Sequence, residues 1–176
     1  MENNLVYNCK SSGFHQHYGK ENIIRNNIFA NNLKAQLQAT RLEDHLSFTF
    51  AHNIIWYLTG DLLSNNWDKV NIQSDNNCYW DTRSKDIRFG NISFNDWQKT
   101  GKDLHSVIAN PEFADPLAFD FTIKNKPLLR KIGFKIFDYS LAGVYGDDNW
   151  KKLAVLDLEI AKLFDAAIVR NETRHK

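Results

Sequence analysis

Ile23-Ile24-Arg25-Asn26-Asn27-Ile28-Phe29 and Phe48-Thr49-Phe50-Ala51-His52-Asn53-Ile54-Ile55 carry the same phrase twice. In each, an alternating apolar run leads into a polar pair whose second member is asparagine, and an apolar residue follows. Two further copies flank them, Asn3-Asn4-Leu5-Val6 and Asn76-Asn77-Cys78-Tyr79. The second asparagines fall at 4, 27, 53 and 77, in steps of 23, 26 and 24 residues. A near-constant step of this size between β-rich units marks a solenoid. The sequence therefore predicts an all-β chain, a parallel β-helix of about three to four coils.

The repeat has a physical reading. Each coil carries short strands that pair in parallel with those above and below, and alternate side chains enter the interior. Asparagine tolerates the left-handed backbone that a corner needs, and stacked asparagines can bond from coil to coil. The residue after each ladder asparagine is apolar (Leu5, Ile28, Ile54, Cys78), as an inward position requires. The same alignment sets 13–18, 36–41 and 62–67 beside one another on one sheet. With Phe14, Leu37 and Leu63 inward, His15, Gln36, Gln38 and Asn65 face outward or lie at the rim. A slip of one residue would reverse these faces.

Composition bounds the rest. The 176 residues allow one domain with a sizeable core. A net charge of +1, from 22 basic and 21 acidic side chains, gives no long-range attraction to nucleic acid. No apolar run approaches the roughly 18 residues that span a bilayer, and Met1-Glu2-Asn3-Asn4 has neither the basic start nor the apolar segment expected of a signal peptide. Abundant asparagine and an aromatic content of 13% suit turn-rich β-structure with a surface able to meet sugars. Cys78 holds an inward ladder position. Cys9 is about three coils away, roughly 14 Å at the strand spacing, too far for a disulfide.

Along the chain, residues 1–95 read as coils and 96–149 as a closing segment. Arg83 to Arg88 is a charged excursion, followed by a strand or strand pair over 87–94. Ser93 is placed to cap a short helix that Gly101 stops. Pro111 and Pro116 punctuate an extended stretch before a strand over Phe119–Ile123. The aromatic stretch 134–145 is expected to be irregular and to wrap along the solenoid. Leu153, Leu156, Ile160, Leu163, Ala167 and Ile168 recur at helical spacing, predicting one helix over 150–170. Its apolar face has two readings, packing on the domain or association with another chain. Residues 171–176 are expected to fray.

Phe14-His15-Gln16-His17-Tyr18-Gly19-Lys20-Glu21-Asn22, Asn26-Asn27-Ile28-Phe29-Ala30 and Leu46-Ser47-Phe48-Thr49-Phe50 resemble bacterial right-handed parallel β-helix proteins of the pectate-lyase-like superfamily. Asp103-Leu104-His105-Ser106, the run 110–116, Phe119–Ile123, Gly133-Phe134 and Gly143-Val144-Tyr145-Gly146 look like the closing segment that follows the last coil of such proteins. The resemblance covers residues 3–152 and implies polysaccharide as partner and an extracellular or periplasmic location. Members usually begin with a capped coil, whereas this chain opens inside a ladder phrase. The sequence-based expectation is the C-terminal part of a longer enzyme, whose missing coils are a further partner, or a truncated gene product.

The polar residues between the ladders supply candidates for chemistry. Glu21 and Glu43 are the carboxyl pair that glycoside hydrolysis requires, with Asp61 and Asp68 in reserve. Arg41 suits a sugar carboxylate or developing negative charge, and His15 or His17 suits acid–base work near neutral pH. Gln36, Gln38, Asn65, Tyr18 and Trp67 are candidate substrate contacts, the two aromatics by stacking on sugar rings. Each has a plainer reading: solvated loop charges for Glu21, Glu43 and Arg41, a corner-bonding role for one histidine, and packing for Tyr18 and Trp67. His15 and His17 share a strand face but lack a fixed third ligand, so no metal is assigned. Calcium, which β-helix lyases hold with clustered carboxylates, is not expected on a sheet of amides and histidines. The favoured reaction is glycosidic hydrolysis. The rivals are β-elimination on uronic-acid glycans and a non-catalytic carbohydrate-binding or structural module.

Overall fold

The computed structural model describes residues 1–155 and 157–174, and the side chains of all of these except 141, 168, 169 and 171–174. Leu156 and the side chain of Ile168, both expected on the helical apolar face, lie outside the described residues, as do His175 and Lys176.

The coils are built as the ladder predicts. The first contains β1 (Leu5–Tyr7), β2 (Ser12–Gln16) and β3 (Asn22–Arg25). The second contains β4 (Ile28–Ala30), β5 (Ala35–Ala39) and β6 (Phe48–Ala51), and the third β7 (Ile54–Tyr57), β8 (Asp61–Asn65) and β9 (Ile72–Asp75). β10 (Cys78–Asp81) opens a further turn. Strands stack in three parallel sheets, ordered β2-β5-β8, β3-β6-β9 and β1-β4-β7-β10, the last continued by β13 (Val107–Ile108). Leu5, Ile28, Ile54, Cys78 and Val107 stand in one column. The fold is a parallel β-helix.

Two polar devices turn the corner that leads into β1, β4, β7 and β10. Asn3, Asn26, His52 and Asn76 adopt left-handed backbone, with φ of 57°, 55°, 56° and 56°. The next residue forms the ladder: the Asn4 N–H donates to Asn27 Oδ1 at 3.0 Å, Asn27 to Asn53 at 3.0 Å, and Asn53 to Asn77 at 2.9 Å. The Asn77 N–H then donates to Ser106 Oγ at 2.7 Å, ending the column. These asparagines are interior: Asn27, Asn53 and Asn77 are fully buried, so each lost bond strands a polar group without water.

Inside the coils lies an aromatic stack. Phe14, Phe48 and Phe50 surround Trp67 with ring centroids 5.9, 5.2 and 5.3 Å from it. Ile24, Leu37, Ile55 and Ile72 are among the residues that join this core, each contributing about 1.5–3 kcal/mol by burial. Cys78 is buried and unpaired, as is the half-buried Cys9 without a disulfide. Burial pushes the Cys78 thiol pKa up to about 12.

The turn after β10 is filled by an antiparallel hairpin, β11 (Arg88–Phe89) and β12 (Ile92–Ser93), and by α1 (Phe94–Lys99). Ser93 caps α1 by accepting the Asp96 N–H at 3.1 Å. The chain then delivers Asp103, fully buried, to the end of the ladder. Its Oδ1 accepts from Asn77, Tyr79 and Ser106 at 3.1, 3.1 and 2.5 Å, and its Oδ2 from Ser74 and Trp97 at 2.9 and 2.7 Å. A buried carboxylate is tolerated when it is this fully hydrogen-bonded.

Beyond β13, β14 (Phe113–Asp115) pairs antiparallel with β15 (Asp120–Ile123) across a 3-10 turn at Pro116–Ala118. α2 (Lys126–Ile132) follows, capped by Asn125 and stopped by Gly133 at φ 66°. The sequence reading missed this helix, although an asparagine cap, a proline in the first turn and a terminal glycine announce it. Corner residues hold the segment: His52 Nδ1 lies 2.5 Å from Ile132 O, and Asn26 exchanges two bonds with the Lys135 backbone at 2.7 and 2.8 Å.

Residues 1–135 form one compact unit and 136–176 a second. The second contains a 3-10 turn at Tyr139–Leu141, α3 (Asp148–Leu153) and α4 (Leu158–Arg174). The single helix expected over 150–170 is thus two. Asp157 accepts the Glu159 N–H at 2.9 Å, starting a new helix where the old one would have continued. α4 runs to Arg174, past the expected onset of fraying at 171. Trp150, Leu153, Leu158, Ile160 and Leu163 are exposed. No helix among the described residues is long and apolar enough to cross a membrane.

Candidate functional site

On the β2-β5-β8 sheet, Phe14, Leu37 and Leu63 share one column and His15, Gln38 and Ser64 the next. Phe14 and Leu37 are buried and His15 is exposed, so the register sets the faces as the sequence predicts. At the strand ends the chain brings in His17 and Thr40. His15 Nε2 lies 3.0 Å and His17 Nδ1 2.8 Å from the single hydroxyl of Thr40. Thr40 is itself held by its N–H, which donates to Gln16 O at 3.0 Å. One hydroxyl has one proton, for either ring or for Gln16 O at 3.5 Å, so at least one of the two rings donates to Thr40.

Tyr18 and Arg41 extend the cluster. The Tyr18 ring meets His17 edge-on at 4.6 Å, and the Arg41 guanidinium lies 4.9 Å over the Tyr18 ring. Arg41 has no carboxylate partner among the described residues. Gln38 is half-buried and its Oε1 accepts from Ser12 at 2.8 Å. Asn65 is exposed at the end of β8, in left-handed backbone at φ 58°. Its neighbour Asn66 donates to Thr40 O at 2.9 Å. Thr40 and Asn66 were missed by the sequence reading; the alignment of 36–41 with 13–18 was the signal for Thr40.

The carboxylates stand apart from the imidazoles. Glu21 is exposed and 3.9 Å from Lys20. Glu43 is half-buried, 3.5 Å from His45 Nε2, which also lies 3.2 Å from Gly19 O. Neither has a hydrogen bond to His15, His17 or Thr40. Asp61 lines a separate cleft of about 380 Å³ with Tyr57, Asp81, Arg83 and Arg88. There Arg83 grips both Asp81 oxygens at 2.8 Å and donates to Gly60 O at 2.7 Å. Burial, with Asp81 adding to it, pushes the Tyr57 hydroxyl pKa up. Asp68 is exposed, near Gly90.

Two expected substrate contacts are corrected. Trp67 is 1% exposed and packs in the aromatic core, so its faces are closed to any sugar. Gln36 is fully buried: its Oε1 accepts the Asn32 N–H at 2.9 Å, and its Nε2 donates to Asn32 O and Thr59 O at 2.9 and 3.2 Å. Gln36 lies within β5, yet its amide is taken up by Asn32 and Thr59 in the neighbouring loops, which alternation along the strand does not predict. Among the described residues, no three His, Cys, Asp or Glu side chains are grouped to hold a metal ion.

No family model, curated protein or solved structure matches the chain.

Proposed function

We propose that this chain is a carbohydrate-binding β-helix module that holds a polysaccharide or oligosaccharide along the outer face of β2, β5 and β8. The observation that carries this is the His15–Thr40–His17 bridge with Arg41 laid over Tyr18 beside it. It offers sugar hydroxyls donors and acceptors in fixed geometry, an aromatic ring and an unpaired guanidinium. The resemblance to pectate-lyase-like proteins supports the same ligand and an extracellular or periplasmic setting.

A second reading is β-elimination at a uronic acid. It needs a base and a neutraliser of the sugar carboxylate, and two histidines gather beside Arg41. Hydrolysis has less support, because Glu21 lies by Lys20 and Glu43 by His45, outside the cluster.

Titration calorimetry with neutral and uronic-acid oligosaccharides tests the proposal. Binding that Arg41→Ala and His15→Ala weaken at least tenfold supports it. Lack of binding by the parent chain overturns it. Ultraviolet-absorbing product would identify elimination, and new reducing ends without absorbance would identify hydrolysis.

A further inference from the structure

On a different sheet, β3-β6-β9, the structure holds a second group of reactive side chains. Asp75, at the end of β9, accepts the backbone N–H of His105 on Oδ1 at 2.7 Å. Its Oδ2 lies 2.6 Å from Nδ1 of the same residue. An ionised carboxylate only accepts, so Nδ1 carries the proton and Nε2 of the neutral ring keeps its lone pair. The His105 side chain is 72% exposed, which leaves Nε2 open to solvent. Beside Asp75 runs a groove of about 360 Å³, lined by Thr49, Gln73, Thr100 and Lys102. Lys102 Nζ lies 5.0 Å from the centre of the Trp97 ring. Asp75 is the groove's one carboxylate, the charged neighbours in the adjoining turn are Lys102 and Asp103, and the lining from β6, Thr49 and Ala51, is uncharged.

We propose that His105, positioned by Asp75, is the general base of a second site that hydrolyses O-acyl esters of a hydrophilic, pyranose-sized substrate. A single oriented imidazole suffices for this chemistry. Water attacks the acyl carbonyl carbon while one of its protons passes to Nε2. The tetrahedral intermediate then breaks its bond to the alcohol oxygen, and the imidazolium returns that proton to the departing alkoxide. The products are one alcohol and one carboxylic acid, which releases its own proton to solvent. Lys102 supplies positive charge for the oxyanion. Glycosidic cleavage is a poorer match, since it usually needs two working carboxyl groups and both oxygens of Asp75 are engaged.

The test uses the full chain with an acetylated methyl glycoside, following acetate release from pH 5 to 9, and p-nitrophenyl acetate as a second probe. The expected result is saturable release faster than buffer alone. His105→Gln should lower kcat about 100-fold. That variant keeps the backbone N–H that Asp75 accepts, and its melting temperature reports whether the fold is intact. Lys102→Gln leaves the hydrogen bonds of the described fold in place and is expected to lower kcat while KM stays within twofold. Asp75→Asn should lower kcat and abolish the Nδ1–H tautomer preference in nitrogen NMR. Lys124→Gln, exposed and outside both sites, is the control and leaves acetate release unchanged. Release by both His105→Gln and Lys102→Gln at the parent rate, or a parent rate no faster than buffer, overturns the proposal.

Discussion

Oδ1 of Asn53 accepts two bonds from Asn27, one from its backbone N–H and one from its side-chain amide, both at 3.0 Å. Both residues are fully buried, so neither donor has water to turn to. Asn53→Leu is expected to destabilise the chain by about 2–4 kcal/mol through stranded donors. Denaturant unfolding checks this, and a midpoint equal to the parent's would count against the ladder.

Asp103 gathers five donors at the end of that ladder. Asp103→Asn places an amide N–H against donors that need an acceptor. The loss should exceed about 4 kcal/mol, more than that of Asn53→Leu. Thermal melts of the two variants side by side would decide the order.

Partial burial raises the Asp75 carboxyl pKa, but the two bonds from His105 and one from the Asn76 N–H outweigh it and hold the group below its ordinary value. The sign follows from linkage. A carboxyl depressed in the folded state stabilises that state above its unfolded pKa of about 3.9, and the contribution fades as pH falls through the folded value. Asp75→Asn should therefore melt below the parent at pH 7, and the gap should close below about pH 4. A gap that persists at pH 2 would contradict the pairing.

Trp67 and Arg41 should fail in opposite ways. Trp67→Ala empties the centre of the aromatic stack and is expected to cost about 3–5 kcal/mol. Arg41→Ala, exposed and without a carboxylate partner, should shift the melting midpoint little while weakening oligosaccharide binding. Parallel calorimetry of melting and binding on the two variants separates the roles.

The ladder was legible because its chemistry is local: a corner needs a residue that accepts left-handed backbone, and the next needs a short amide. Those demands recur at each coil, so Asn4, Asn27, Asn53 and Asn77 announce the fold, and the Ser93 cap was readable for the same reason. The faces within strands followed from alternation, which put His15 and Leu37 on opposite sides. Alternation does not report what neighbouring corners cover, and there the reading failed: Gln36, within β5, meets Asn32 and Thr59, and Trp67 swings into the core between β8 and β9. Asp103 was quoted only as part of a closing run. Its role depends on Ser74, Asn77, Tyr79 and Trp97 converging from separate elements, and no spacing along the chain encodes that meeting.

Every rung of the asparagine column donates in the same sense, each amide giving its proton to the next coil and the last giving to Ser106 and Asp103. The stack is therefore a wire with a direction, and an anion sits at the terminal where its positive ends collect. A coil inserted between two rungs would find an acceptor ahead and a donor behind. One spliced after Asp103 would meet a carboxylate with no proton to hand on, so this architecture can lengthen in its middle but not at that end.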